Sequence, residues 1–217
     1  TSPVRVLEGR DADDRFGISV ASAGDVNGDG YSDVVIGAPH ANPRGLSNAG
    51  TASVFHGSAS GIDSSPTQVI EGESLDDNAG GSVASAGDVN GDGYTDLIVG
   101  TASSRGGRLY TGTANVFHGS ASGVIASAAR VLEGASTYGL FGNSVASAGD
   151  VNRDGYADIV VGAYSERPGG RSAAGTATVF HGSSSGIGAT AARTLEGVAA
   201  YDNFGWSVAS VGDVNGD

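Results

Sequence analysis

The chain has 217 residues, with 24 acidic side chains against eleven basic ones and a net charge of −13. That balance excludes the basic footprint that nucleic acid or an anionic membrane surface requires. Cys is absent, which removes disulfides, thiolate metal sites and thiol nucleophiles, and no apolar run approaches the roughly 18 residues of a membrane helix.

In chain order, residues 1–9 contain "VLEG" (Val6–Gly9) and read as an outer strand belonging to a neighbouring unit. Three full units follow, over 19–72, 82–134 and 144–197, and a further one starts at 207–217. The beat is regular: the first Asp of a nine-residue acidic stretch recurs at 25, 88, 150 and 213, at intervals of 63, 62 and 63 residues. "VFHGS" keeps the same spacing at 54–58, 116–120 and 179–183. Within a unit, "SVASAG" alternates small and apolar residues, "DVVIGA" is a β-branched run, "GTASVFHG" alternates again, and "TQVIEG" closes. Gly, Ser, Asn, Asp and Pro fill the gaps, and no segment carries a helical period, so each unit predicts four short strands.

One four-stranded sheet cannot bury its own apolar faces; stacked neighbours must do so. Four-stranded units at this period predict an all-β fold, a β-propeller of antiparallel blades. A β-solenoid would use shorter rungs, and a Greek-key sandwich would not repeat its sequence.

The acidic stretches predict a metal site. Carboxylates this close repel, and a hard cation relieves the conflict, since Ca²⁺ accepts 6–8 oxygen ligands in a flexible shell. In the first loop Asp25, Asn27 and Asp29 occupy positions 1, 3 and 5. Gly30 allows the bend, Tyr31 offers its carbonyl from position 7, and Asp33 adds a carboxylate at position 9. The second set is Asp88, Asn90, Asp92, Tyr94 and Asp96; the third is Asp150, Asn152, Asp154, Tyr156 and Asp158; a partial fourth is Asp213, Asn215 and Asp217. Position 12 is Ile36, Val99 or Val161 rather than the Glu of an EF-hand. Mg²⁺ prefers to keep its waters, and Zn²⁺ prefers His or Cys. A plain Asp-Gly hairpin turn would need only one such pair. Eleven of the 24 acidic residues are loop aspartates, and three bound Ca²⁺ would take the net charge from −13 to −7.

These motifs resemble the FG-GAP repeat family, found in integrin α-chain propellers and in many secreted bacterial proteins. Phe-Gly stands at Phe16-Gly17, Phe141-Gly142 and Phe204-Gly205, and Gly-Ala-Pro at Gly37–Pro39. The second unit departs with Ala79-Gly80, and "GTA" (100–102) and "GAY" (162–164) replace Gly-Ala-Pro in the second and third. The "GSASG" turns and the lack of Lys are closer to the bacterial branch. The resemblance implies a seven-bladed ring, calcium between the first two strands of a blade, and an extracellular or periplasmic setting. Seven units of this period need roughly 440 residues, about twice this chain. With no Met and a start at Thr1, the expectation is a piece of a longer parent, or else assembly with another copy.

Alternating strand direction places the acidic loops and the "HGSASG" turns on one face. Loops 40–49, 102–111 and 164–173, with links 10–15, 73–78, 135–140 and 198–203, take the other. That second face varies between units and carries Arg44, Arg105, Arg108, Arg167 and Arg171, with Tyr110, Tyr138, Tyr164 and Tyr201. As a site it would suit a protein loop or a carbohydrate, particularly an acidic glycan; as a solvated surface it binds nothing. His56, His118 and His181 are equivalent positions spread round the ring, so they cannot converge on a metal. Glu8, Glu71, Glu133 and Glu196 recur once per outer strand and make local contacts rather than a catalytic pair. No nucleophile elbow, phosphate loop or zinc motif appears. The reading is a calcium-stabilised extracellular binding or scaffold module without catalysis. The alternatives are the propeller part of a secreted polysaccharide lyase or phospholipase, or a self-assembling propeller fragment without a ligand.

Overall fold

The computed structural model describes residues 5–102 and 109–212. Twelve strands form three separate four-stranded antiparallel sheets, each in simple sequence order. The first blade comprises β1 (Ser19–Gly24), β2 (Asp33–Ala38), β3 (Thr51–Phe55) and β4 (Gln68–Glu71). The second comprises β5 (Ser82–Gly87), β6 (Asp96–Thr101), β7 (Thr113–Phe117) and β8 (Arg130–Glu133). The third comprises β9 (Ser144–Gly149), β10 (Asp158–Ala163), β11 (Thr176–Phe180) and β12 (Arg193–Glu196). The fold is that of β-propeller blades.

The β-branched second strands are covered on both faces; every residue of β6 is buried. The fourth strands are more open, with one buried side chain in β4, one in β8 and none in β12. First strands lie side by side, β5 touching both β1 and β9. The Val83 N–H donates to Ser19 Oγ (3.0 Å) and the Val145 N–H to Ser82 Oγ (3.1 Å), so one serine per blade stitches successive inner strands together.

The hydrophobic core lies between blades. One cluster joins Val35, Val54 and Ile70 of the first blade to Val83, Leu97, Val99 and Phe117 of the second. The other joins Ile98, Val116 and Leu132 to Val145, Ile159, Val161 and Phe180. Each large side chain so buried contributes about 1.5–3 kcal/mol, which explains why the blades stack.

Two predicted strands form no ladder among the described residues. Residues 5–9 are unpaired, as are 207–212. A strand requires a hydrogen-bonding neighbour, and neither segment has one from its own blade here. Even so, the Val208 N–H donates to Ser144 Oγ (3.0 Å), the contact that Val83 and Val145 make one blade earlier. Loops 40–49 and 164–173 each contain one turn of 3-10 helix, Pro43–Gly45 and Pro168–Gly170, too short to register as a helical period.

Candidate metal loops and the variable face

Each acidic loop starts where a first strand ends in a bulge, with register shifts at Ser22/Gly24, Ser85/Gly87 and Ser147/Gly149. The loop then curls round its first aspartate. Asp25 Oδ1 accepts the N–H groups of Gly28 (2.7 Å) and Asp29 (3.1 Å), and Oδ2 accepts that of Gly30 (2.8 Å). Asn27 Oδ1 also accepts the Asp29 N–H, while Asp29 Oδ1 accepts the Tyr31 N–H (2.9 Å). Asp88, Asn90 and Asp92 repeat this pattern. In the third loop, Asp150 accepts from Asp154 and Gly155, and Asp154 from Tyr156.

The ninth-position aspartates have a different environment. Asp33, Asp96 and Asp158 are fully buried. Asp33 Oδ2 accepts the Val26 N–H (2.9 Å) and Oδ1 the Gly57 N–H (2.8 Å), so one carboxylate ties the loop to the third-to-fourth-strand turn. Asp96 holds Val89 and Gly119 in the same way, and Asp158 holds Val151 and Gly182. Burial pushes the Asp96 carboxyl up to about 6, against the pull of the Gly119 and Val89 amides. The exposed Asp29 carboxyl lies below its ordinary value, chiefly because of the Tyr31 N–H and then the Asn27 amide.

The donor set is therefore all oxygen, part of it ionised and part buried, which fits a hard divalent cation. As the loops stand, carboxylate oxygens are turned onto backbone N–H groups, and among the described residues no three Asp, Glu or His side chains gather closely enough to hold a metal. Asp213, Asn215 and Asp217 lie outside the described residues.

Successive loops interlock. The Thr95 N–H donates to the Asp25 carbonyl and the Ala157 N–H to that of Asp88, both at 2.9 Å. Tyr94 lies against Gly28, and Tyr156 against Gly91, so closely that a Cβ on either glycine would meet the ring at 2.7 Å. The third loop carries Arg153 at this position, with φ +59°. Sequence reasoning missed this role of the tyrosines, because position 7 pointed to the carbonyl alone. His56, set aside as part of a metal triad, borders the first loop instead, with its Nδ1 3.3 Å from Asn27 Nδ2.

On the opposite face two of the arginines are already engaged. Arg44 Nε pairs with Glu71 (2.9 Å) and its Nη2 donates to the Gly72 carbonyl. Arg171 pairs with Glu196 (3.0 Å) and donates to the Gly197 carbonyl. These contacts account for two of the recurrent outer-strand glutamates. The Ser136 hydroxyl donates to Glu166 Oε1. Tyr110 stacks on Tyr138 (centroids 5.9 Å apart), and Tyr164 packs on Trp206 at 4.3 Å. Arg105 and Arg108 lie outside the described residues.

The model of the FG-GAP repeat matches three segments, 16–55, 79–114 and 141–180, together more than half the chain. The chain belongs to the FG-GAP repeat family. Each matched segment of this FG-GAP chain opens on the Phe-Gly position, Phe16, Ala79 or Phe141, and runs into the third strand of its blade. Among curated proteins it is similar to integrin alpha-6 of Homo sapiens, 33% identical over 164 residues, covering 76% of this chain and 14% of the integrin. Integrin alpha-V of Gallus gallus is 37% identical over 157 residues, covering 69% and 15%. Integrin alpha pat-2 of Caenorhabditis elegans is 44% identical over 90 residues, covering 40% and 7%. The chain thus spans no more than about a seventh of these relatives. Among the described residues no helix is long and apolar enough to cross a membrane.

Proposed function

We propose that this chain is a calcium-stabilised, extracellular β-propeller module that serves recognition rather than catalysis. The observation that carries the reading is the threefold recurrence of one all-oxygen loop, each closed by a buried aspartate that also holds the neighbouring turn. Asp25, Asn27, Asp29 and Asp33, with the Tyr31 carbonyl, would hold the first ion, and the equivalent residues the second and third. Asp213, Asn215 and Asp217 would contribute to a fourth. The ion supplies positive charge to a crowded set of carboxylates, so its binding free energy becomes folding free energy.

The integrin alpha chains that resemble this one are cell-surface adhesion proteins without enzymatic activity, which supports the extracellular setting and the non-enzymatic role. Recognition of a protein or a carbohydrate is assigned to the face opposite the loops. With Arg44 and Arg171 engaged, its aromatic pairs, Tyr110 with Tyr138 and Tyr164 with Trp206, offer amphipathic contact area.

Unfolding followed in calcium and in chelator tests the reading. Each independent site should add about 2.7 kcal/mol when free calcium stands at 100 times its Kd. Identical melting curves in both conditions would overturn the calcium assignment.

A further inference from the structure

The second blade departs from the other two at one place. Phe16 meets Phe55 edge-on with centroids 6.3 Å apart, and Phe141 meets Phe180 at 6.1 Å. In the second blade Ala79 takes the place of these first phenylalanines, and Phe117 has no ring partner there. Two more changes fall on the same spot. Thr101 replaces the alanines of the other blades, Ala38 and Ala163, and Asn115 replaces Ser53 and Thr178.

A crevice of about 300 Å³ lies here at the outer rim, where the outermost strand of the first blade meets the second blade; the first blade has a counterpart of about 480 Å³ lined by Phe16, Ala38, Ser53 and Phe55, so the second is set apart by its lining rather than by its volume. Its volume is at the lower end of the range for ligand pockets. Ala79 and Phe117 both line it, with Ile70, Val99 and Val131 forming apolar wall. Thr101, Thr113 and Asn115 add a neutral polar strip: the Thr101 and Thr113 hydroxyls are 2.6 Å apart, and Asn115 Nδ2 donates to Thr113 Oγ1 (3.1 Å). That bond uses one N–H of the Asn115 amide, and among the described residues its other N–H and its Oδ1 have no partner. The rim carboxylates are already committed. Glu71 pairs with Arg44, and Asp77 Oδ2 accepts the Glu73 and Ser74 N–H groups.

We infer that this crevice is a binding site for a single neutral sugar residue. A carboxamide that presents one donor and one acceptor reads a pair of adjacent hydroxyls, and the Val-Ile-Phe wall receives the apolar C–H face of the ring. Negative charge at the mouth rejects anions. The carboxylates that could attract a cation are occupied, so a cationic side chain is the weaker candidate. The inference does not depend on calcium and concerns the rim, away from the variable face.

The test is titration of the isotope-labelled chain, in calcium, with the methyl glycosides of glucose, mannose and galactose, and with arginine methyl ester as the cationic comparison. The expected result is saturable movement of the Asn115 side-chain amide signal with at least one glycoside. Asn115→Thr, the residue of the third blade, should weaken that binding about tenfold or more. Thr101→Ala, the residue of both other blades, should weaken it as well. Failure of all three glycosides to saturate overturns the proposal, as does binding that survives Asn115→Thr or a response confined to arginine methyl ester. Unaltered glycoside affinity in Thr101→Ala would count against the site.

Discussion

Asp33, Asp96 and Asp158 have a structural duty that does not require a metal. Each carboxylate accepts two backbone N–H groups from segments far apart in sequence, and for Asp33 and Asp96 both bonds are buried. Asp33→Ala would leave the Val26 and Gly57 N–H groups without acceptors. A buried donor so stranded costs about 1–3 kcal/mol, so urea unfolding in chelator should show a loss of about 2–5 kcal/mol. Unchanged stability in chelator would mean that the carboxylate matters only through a cation. At this scale the sequence was informative about oxygen chemistry, because alternate Asp and Asn positions are readable as spacing. It was silent about the division of labour, because whether position 9 is buried depends on a turn some 24 residues away. The pairing of Arg44 with Glu71 was hidden for the same reason: the outer-strand glutamates could be read as local contacts, but their partners lie across a loop.

Strands were the most legible feature, since β-branched runs between Gly-rich turns leave few alternatives. The spacing between blades was not legible. It depends on backbone approaching backbone. A Cβ on Gly37 would meet the Gly80 carbonyl oxygen at 1.9 Å, and one on Gly100 would meet that of Gly142 at 2.0 Å. The glycine near the end of each second strand is therefore the point where the next blade's Phe-Gly segment touches down. Gly100→Ala should push the second and third blades apart and cost about 1–3 kcal/mol, as overpacking of a closed interior does. Gly81→Ala is the control, because its methyl would stay 3.4 Å from the nearest atom. Equal midpoints for the two variants in urea would refute the contact's importance.

Across the whole molecule, burial depends on whether a blade has a neighbour. Val83 and Val145 are each 5% exposed, yet the equivalent Val20 of the first blade is 59% exposed. Val26 and Val89 are fully buried beneath the next blade, whereas the equivalent Val151 of the third blade is 55% exposed. The two outer faces of the stack thus expose apolar side chains that a neighbouring blade buries elsewhere, and large exposed patches of this kind drive association. Net repulsion from a charge of −13 opposes it, and loop-bound calcium would reduce that repulsion. The expected behaviour of this 217-residue chain is concentration-dependent association in sedimentation, stronger with calcium than with chelator. Val20→Asp combined with Val151→Asp should shift the distribution toward the single-chain mass, because both ends then carry charge where a neighbour would sit. A single-chain mass for the unmodified protein in calcium at high concentration would show that these faces do not attract one another.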